Sequence, residues 1–175
     1  MTPENSSSVV LKLNLGSGQR KFDPPWINVD CQARWSPDLL CDITKLPYED
    51  GTVDTICAHH VLEHLGLDDG AIALREWLRV LKPGGSLLVF VPDMAALAKK
   101  WLAGEIDDYI YAVNLYGAYM GDPADRHKWG WCYRSLREML IDAGFRKVVR
   151  VFAWRDIPGT DLAKDWWILG CEAAK

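Results

Sequence analysis

Apolar residues in the first half of the chain fall in short unbroken runs, and further on they also fall at helical intervals. Val9-Val10-Leu11-Lys12-Leu13-Asn14-Leu15 has the near-continuous apolar character of a strand covered on both faces, and it stops at Gly16 and Gly18. Trp26-Ile27-Asn28-Val29, ending in Asp30, predicts a second strand, Asp38-Leu39-Leu40-Cys41-Asp42 a short third, and Val53 to Ala58 a fourth. From Asp69 to Leu81 the apolar positions 71, 72, 74, 77, 78 and 81 have helical spacing, and Lys82-Pro83-Gly84-Gly85 stops the helix. Ser86 to Val91 predicts a fifth strand, broken by Pro92-Asp93, and a helix follows over about 94–102. Ser135-Leu136-Arg137-Glu138 has the form of a capping box opening a helix that ends at Gly144. Phe145 to Phe152 and Trp166 to Cys171 are the last two strands. The Pro/Gly-containing loop between them has no room for a crossover helix, so they should pair antiparallel.

Strands alternating with helices predict one α/β domain over 9–175, with 1–8 as a frayed leader and no repeat, linker or low-complexity tract. The chain has 175 residues, 49% hydrophobic and 25% charged, which is enough for a core of ordinary composition. A net charge of −4 leaves no basic footprint, so nucleic acid is not expected as a partner. No apolar run approaches the ~20 residues of a membrane span, so no membrane association is expected either. The leader lacks the basic and apolar parts of a signal peptide. The five cysteines are odd in number and include no Cys-x-x-Cys pair. Together these imply reduced thiols and a cytoplasmic protein. Trp77 and Trp101 have helical spacing and are expected in the core, and one of Trp166 and Trp167 should join them.

Candidate chemistry begins at the first strand's end. Glycines there let the backbone turn and approach a ligand closely. An acid at the tip of the neighbouring strand, Asp30, is placed to accept both hydroxyls of a ribose. The pair points to a nucleoside-containing cofactor.

Further motifs follow in order: Asp42-Ile43 with Leu46-Pro47-Tyr48, then Asp50-Gly51-Thr52-Val53-Asp54 through His60-Val61-Leu62-Glu63-His64, then Arg79-Val80-Leu81-Lys82-Pro83-Gly84-Gly85. With Leu15-Gly16-Ser17-Gly18 and Asp30, they resemble the class I S-adenosylmethionine-dependent methyltransferases, in particular a small, single-domain, type 11-like subgroup. The resemblance implies a Rossmann-like fold: a mostly parallel seven-stranded sheet with an antiparallel last strand and helices on both faces. It also implies S-adenosylmethionine as cofactor and S-adenosylhomocysteine as product. The cofactor residues it implies are Asn14, Gly16, Ser17 and Gly18 beside the methionine part, Asp30 and Cys31 at the ribose, Asp42 and Ile43 at adenine, and His59 at the end of strand four.

Two departures stand out. Asn14 occupies a place where the family usually has an acid, so attraction to the cofactor's ammonium is weaker. The interval from Gly18 to Trp26, holding Pro24-Pro25, is too short for the usual helix. Asp54 reads as a structural acid satisfied by backbone amides, and Asp42 could equally cap a turn.

Residues 102–134 read as a substrate-side insertion, mixing Tyr109, Tyr111, Tyr116, Tyr119, Trp129, Trp131 and Tyr133 with Asp122, Arg126, His127 and Lys128. Aromatic faces beside a few charged groups suit a small molecule or a glycan. A hydroxyl acceptor benefits from a base of near-neutral pKa, for which His127 is the first candidate and His60 the second. The expected activity is transfer of a methyl group to oxygen of such an acceptor, by a monomer or homodimer. Two alternatives remain open. His60-Val61-Leu62-Glu63-His64 spells an inverted zinc-peptidase motif, which disagrees with the glycines at 66 and 70 and with the absence of a long helix; no metal is expected. A domain that binds the cofactor without turnover is the other.

Overall fold

The structure is a computed structural model describing residues 10–118, 122–151 and 168–175. Seven strands form one sheet: β1 (Lys12–Leu15), β2 (Trp26–Asp30), β3 (Leu39–Leu40), β4 (Val53–His59), β5 (Leu81–Pro92), β6 (Arg146–Val151) and β7 (Ile168–Ala174), in the order β3-β2-β1-β4-β5-β7-β6. β1 to β5 run parallel, and β7 is antiparallel to both β5 and β6. The helices are α1 (Leu67–Val80), α2 (Met94–Leu102), α3 (Asp108–Tyr116) and α4 (Tyr133–Ala143). The predicted α/β class and the antiparallel last strand are both present. Phe152, Trp166, Trp167, Tyr119 and the leader lie outside the described residues.

Alternation along the strands sorts side chains to two faces. Leu13 and Leu15, Ile56 and Ala58, Leu87, Val89 and Val91 belong to one core cluster, with Ala73, Leu74, Trp77 and Val80 of α1 and Leu136 and Leu140 of α4. Trp77 is fully buried and its indole N–H donates to Ile43 O at 2.9 Å, which ties α1 to the segment after β3. Replacing a buried Trp of this kind by Ala costs ~3–5 kcal/mol. Arg79 fixes the same segment through Leu46 O, Tyr48 O and the carboxylates of Glu76 and Asp50.

The opposite face is closed differently. Its cluster is Phe22, Cys57, Leu88, Phe90 and Ile168, with Trp26 and Val151 against it, and none of these residues is helical. The short β1–β2 connection, without a helix as its length predicts, folds over the face instead. Asn14 and Asn28 are register partners on β1 and β2 and hold that connection down. Asn14 Nδ2 donates to Arg20 O and to Asn28 Oδ1, and Asn28 Oδ1 also accepts from Phe22 N at 2.8 Å. Asn28 Nδ2 donates to Phe22 O and to Asp38 Oδ2. Two buried amides thus satisfy the backbone of a loop that a helix would have satisfied by itself.

Several elements differ from the sequence-based expectation. β5 begins at Leu81 because Leu81 pairs with Val53. The ladder then skips from Val53 to Thr55, and Lys82-Pro83-Gly84-Gly85 bulges out before Ser86 pairs. Gly84 turns there with φ +80°. Asp54 Oδ2 accepts from Leu11 N at 2.8 Å and both its oxygens accept from Lys82 Nζ, the structural role expected of it. α4 is capped three residues earlier than the proposed box: Cys132 is the N-cap, and Ser135, in the third helical position, accepts from Cys132 N through Oγ. Gly144 ends the helix in the left-handed region, as expected. Trp101 is not core; it is 39% exposed and stacks on Tyr111 at 4.7 Å.

Candidate active site

The C-terminal edge of β1, β2 and β4 opens into a cleft of about 530 Å³. Open α/β sheets bind ligands at this edge, where the backbone leaves the strands. Gly16 and Gly18 both have positive φ, +62° and +47°. At Gly16 a Cβ would lie 2.3 Å from Val61 Cγ2, so the loop presses directly on the exit of β4. At Gly18 a Cβ would meet nothing within 4 Å, so the backbone there faces open space.

Asp30 organises the loop. Its carboxylate is 6% exposed; Oδ2 accepts from Gly18 N and Oδ1 from Gln32 N, both at 2.8 Å. A carboxylate has roughly four lone-pair sites. Two are used by backbone, which leaves two on a group that lines the cleft. Asp42 lines it too, with Oδ1 taken by the amide and hydroxyl of Thr44, so it caps a turn and faces the cleft together. Ile43 supplies an apolar wall, 7% exposed. Cys31 lines the cleft with its thiol pushed up by burial and by the neighbouring Asp30 charge.

Four predicted residues stand elsewhere. Asn14 lies on the other face under the β1–β2 loop, as its side-chain bonds require. Ser17 is buried and does not reach the cleft lining. His59 alternates away from His60: its ring lies 5.3 Å from Phe90 and Arg20 Nη1 approaches Nε2 at 2.8 Å. Burial, then the His60 and Arg20 charges, push its imidazole down to about 2. His127, expected as the base, is not among the lining residues. Its ring stands edge-on to His64 at 4.9 Å, and its Nδ1 is 2.9 Å from Asn114 O. Burial lowers its pKa from the ordinary value.

His60 and His64 do line the cleft, but not as a zinc-peptidase pair. Leu62–His64 is a single 3-10 turn, and His60 precedes it with φ +55°, so no α-helical face carries both rings. His60 Nδ1 is 2.8 Å from Oε1 of the buried Glu63, and His64 Nδ1 donates to Arg126 O at 3.2 Å. Burial would raise the Glu63 carboxyl, but the His60 bond and the His60 and His64 charges outweigh it and hold it low.

The wall opposite Asp30 comes from the insertion. Lys128 N and Trp129 N both donate to Glu63 O, and Ala124, Asp125 and Lys128 line the cleft. Arg34, after β2, pairs with Asp122 across the opening. Sequence patterning placed Lys128 in the substrate-side insertion but missed Arg34, Ala124 and Asp125, as well as Gln32 and Trp35, because nothing local marks a residue that becomes a wall only when distant loops meet.

Residues 21–89 match the family described as "Methyltransferase domain". The matched segment, less than half of the chain, is similar to a methyltransferase domain. The chain is 32% identical over 122 residues to a ubiquinone/menaquinone biosynthesis C-methyltransferase of Chromobacterium violaceum, covering 64% of this chain and 47% of that protein. It is 36% identical over 106 residues to an uncharacterized 37.1 kDa protein in a Streptomyces fradiae transposon, covering 61% and 28%. The chain thus spans less than half the length of these relatives. Among solved structures, an S-adenosylmethionine-dependent methyltransferase of Archaeoglobus fulgidus superposes with TM-score 0.62 at 16% identity, over 95% of this chain and 86% of that one. A Burkholderia thailandensis 1,6-didemethyltoxoflavin N1-methyltransferase, solved with S-adenosylhomocysteine, gives 0.58 at 18% identity over 94% and 70%. Among the described residues no helix of the domain is long and apolar enough to cross a membrane.

Proposed function

We propose that the cleft binds S-adenosylmethionine and that the domain transfers its methyl group to oxygen of a small-molecule or glycan acceptor entering past residues 122–128. The observation that carries the reading is Asp30: a buried carboxylate on the cleft wall, fixed by two backbone amides, with two acceptor sites left for two ribose hydroxyls. Gly18 fits the same cofactor, since its side is open where a Cβ would intrude on a ligand. The volume suits a ligand of nucleoside size, within the ~300–1,000 Å³ range of such sites. When bound, the sulfonium supplies an electrophilic methyl group. The protein's part is to hold an acceptor in line and to keep water out.

Arg34 and Lys128 at the opening favour an acceptor with an acidic or phosphorylated group. Carbon is the second acceptor class, supported by the name of the Chromobacterium relative. His60 and His127 are the base candidates for a hydroxyl acceptor. His60 has its Nδ1 held by Glu63 and its Nε2 shielded from solvent, and His127 stands behind His64. His60 lines the cleft but its Nε2 is shielded, and His127 is not on the lining, so alignment carries the larger part of the rate. A His60→Ala or His127→Ala loss of the ~10²–10⁴-fold worth of a positioned base, at constant cofactor affinity, would return that role to the ring.

The test is accumulation of S-adenosylhomocysteine when the protein meets S-adenosylmethionine and a panel of nucleotide sugars, glycans, phenols and quinols. Turnover on an oxygen acceptor supports the reading. Turnover on carbon alone moves the acceptor class, and cofactor binding with no turnover on any of them favours a domain that binds without transfer.

A further inference from the structure

Three of the four histidines and one buried glutamate meet where the insertion docks on the exit of β4. One ligand atom each from Glu63, His64 and His127 lie within 4.8 Å of one another. From this geometry we infer that Glu63, His64 and His127 form a binding site for a divalent transition-metal ion of the zinc class. It is not the His-x-x-Glu-His pair: His60 is outside the triad, and His127 arrives from 63 residues beyond His64.

One nitrogen of each ring and one oxygen of the carboxylate are already engaged. His64 Nδ1 donates to Arg126 O and His127 Nδ1 to Asn114 O, which fixes both rings as tautomers with the lone pair on Nε2. Metal-binding histidines are oriented in this way by a carbonyl or carboxylate on the other nitrogen. Glu63 Oε1 is held by His60 Nδ1, leaving Oε2. That oxygen is buried and has no hydrogen-bond partner, although the Glu63 side chain is only 1% exposed. A buried carboxylate oxygen without a partner is costly, and a cation removes the cost. Two nitrogens and one carboxylate oxygen select zinc, cobalt or a similar ion over magnesium or calcium, which take oxygen.

Bonds of ~2.0–2.2 Å place tetrahedral ligand atoms roughly 3.3 Å apart, so the side chains close inward on binding. Such a site would pin residues 126–128 to the cleft wall, with one coordination position left for water or an acceptor. Three protein ligands with an open fourth place are the arrangement of an exchangeable or catalytic zinc site.

Cobalt titration of the purified, chelator-treated protein tests this directly, with no dependence on methyl transfer. The expected result is one Co²⁺ per chain with visible d–d absorption of a nitrogen/oxygen site, displaced by stoichiometric Zn²⁺. Glu63→Gln and His127→Asn are expected to weaken Zn²⁺ binding by at least about 10²-fold, beyond what loss of a hydrogen-bond partner behind a ligand causes. Circular dichroism of the metal-free variants shows whether they fold, and the wild-type spectrum decides even where one does not. Absence of binding tighter than 10 µM, a thiolate-to-cobalt band near 300–350 nm, or binding that survives loss of both His64 and His127 overturns the assignment.

Discussion

On the cofactor side of the cleft the fixing contacts are short-range: Gly18 N reaches Asp30 across 12 positions, and Gln32 N and Thr44 N reach their acids across 2. On the opposite side they are long-range: His64 bonds Arg126 O across 62 positions, and Lys128 N bonds Glu63 O. Local contacts form with little loop-closure entropy and hold their geometry in any state where the strands pair. The insertion's contacts depend on a whole segment docking, and segments of that kind open at lower free energy than the core. Under the proposed function, one wall would be set in advance for the cofactor and the other would adjust to a particular acceptor.

The widest separation between the walls is expected at Asp30. Asp30→Ala removes two hydroxyl contacts and releases Gly18 N and Gln32 N, so S-adenosylhomocysteine affinity should fall by about 2–4 kcal/mol, at ~1.5–3 kcal/mol per charged hydrogen bond without additivity. The variant should also melt lower, because both amides lose their acceptor. Gly16→Ala should come next: φ +62° and a contact 2.3 Å from Val61 Cγ2 together cost ~2–4 kcal/mol, read as a lower melting point and weaker cofactor binding. Gly18→Ala, with no protein atom within 4 Å, should lose only the ~1–2 kcal/mol of left-handed backbone in melting stability, its further cost appearing in cofactor affinity. Equal losses of melting stability at the two glycines would mean that the loop does not press on Val61.

On the acceptor wall, Lys128→Ala should leave S-adenosylhomocysteine affinity within about threefold and raise the acceptor KM about tenfold, the worth of one charged contact of ~1.5 kcal/mol. A parallel loss of cofactor affinity would break the division between the walls. The smallest effect concerns acid. Asp38, held low by the backbone and side-chain bonds of Asn28, and Asp54, held low by Lys82 and Leu11 N, have depressed folded pKa values. Their stabilisation is complete above the unfolded carboxyl value near ~4 and is lost as pH falls through the lower folded values. The melting point of Asp38→Asn should therefore depend less on pH below about 4 than that of the parent protein.

The succession of strands along the chain and the glycines and acids at their tips were legible because each rests on a local signal: apolar runs ending in glycine or acid, and turns of Pro and Gly. Gly16, Gly18, Asp30, Cys31, Asp42, Ile43 and His60 all reach the cleft. Asn14 and His59 were misplaced for one reason, the period of two along a strand: each alternates onto the second face, where a family-level match of position carries no information about direction. The role of Asn28 had no signal at all, since a buried amide pair is visible only once β1 and β2 are in register. His127 was placed in the right region and the wrong layer, behind His64 rather than on the wall.

The central claim, that Asp30 and the glycine loop hold S-adenosylmethionine, is tested most directly by calorimetry of the wild type and Asp30→Ala with S-adenosylhomocysteine and with NAD. The account predicts one site for S-adenosylhomocysteine, no binding of NAD, and a loss of about 30-fold or more in the folded variant, the lower end of ~2–4 kcal/mol. Binding of NAD in place of S-adenosylhomocysteine, or unchanged S-adenosylhomocysteine affinity in a folded Asp30→Ala, would contradict it.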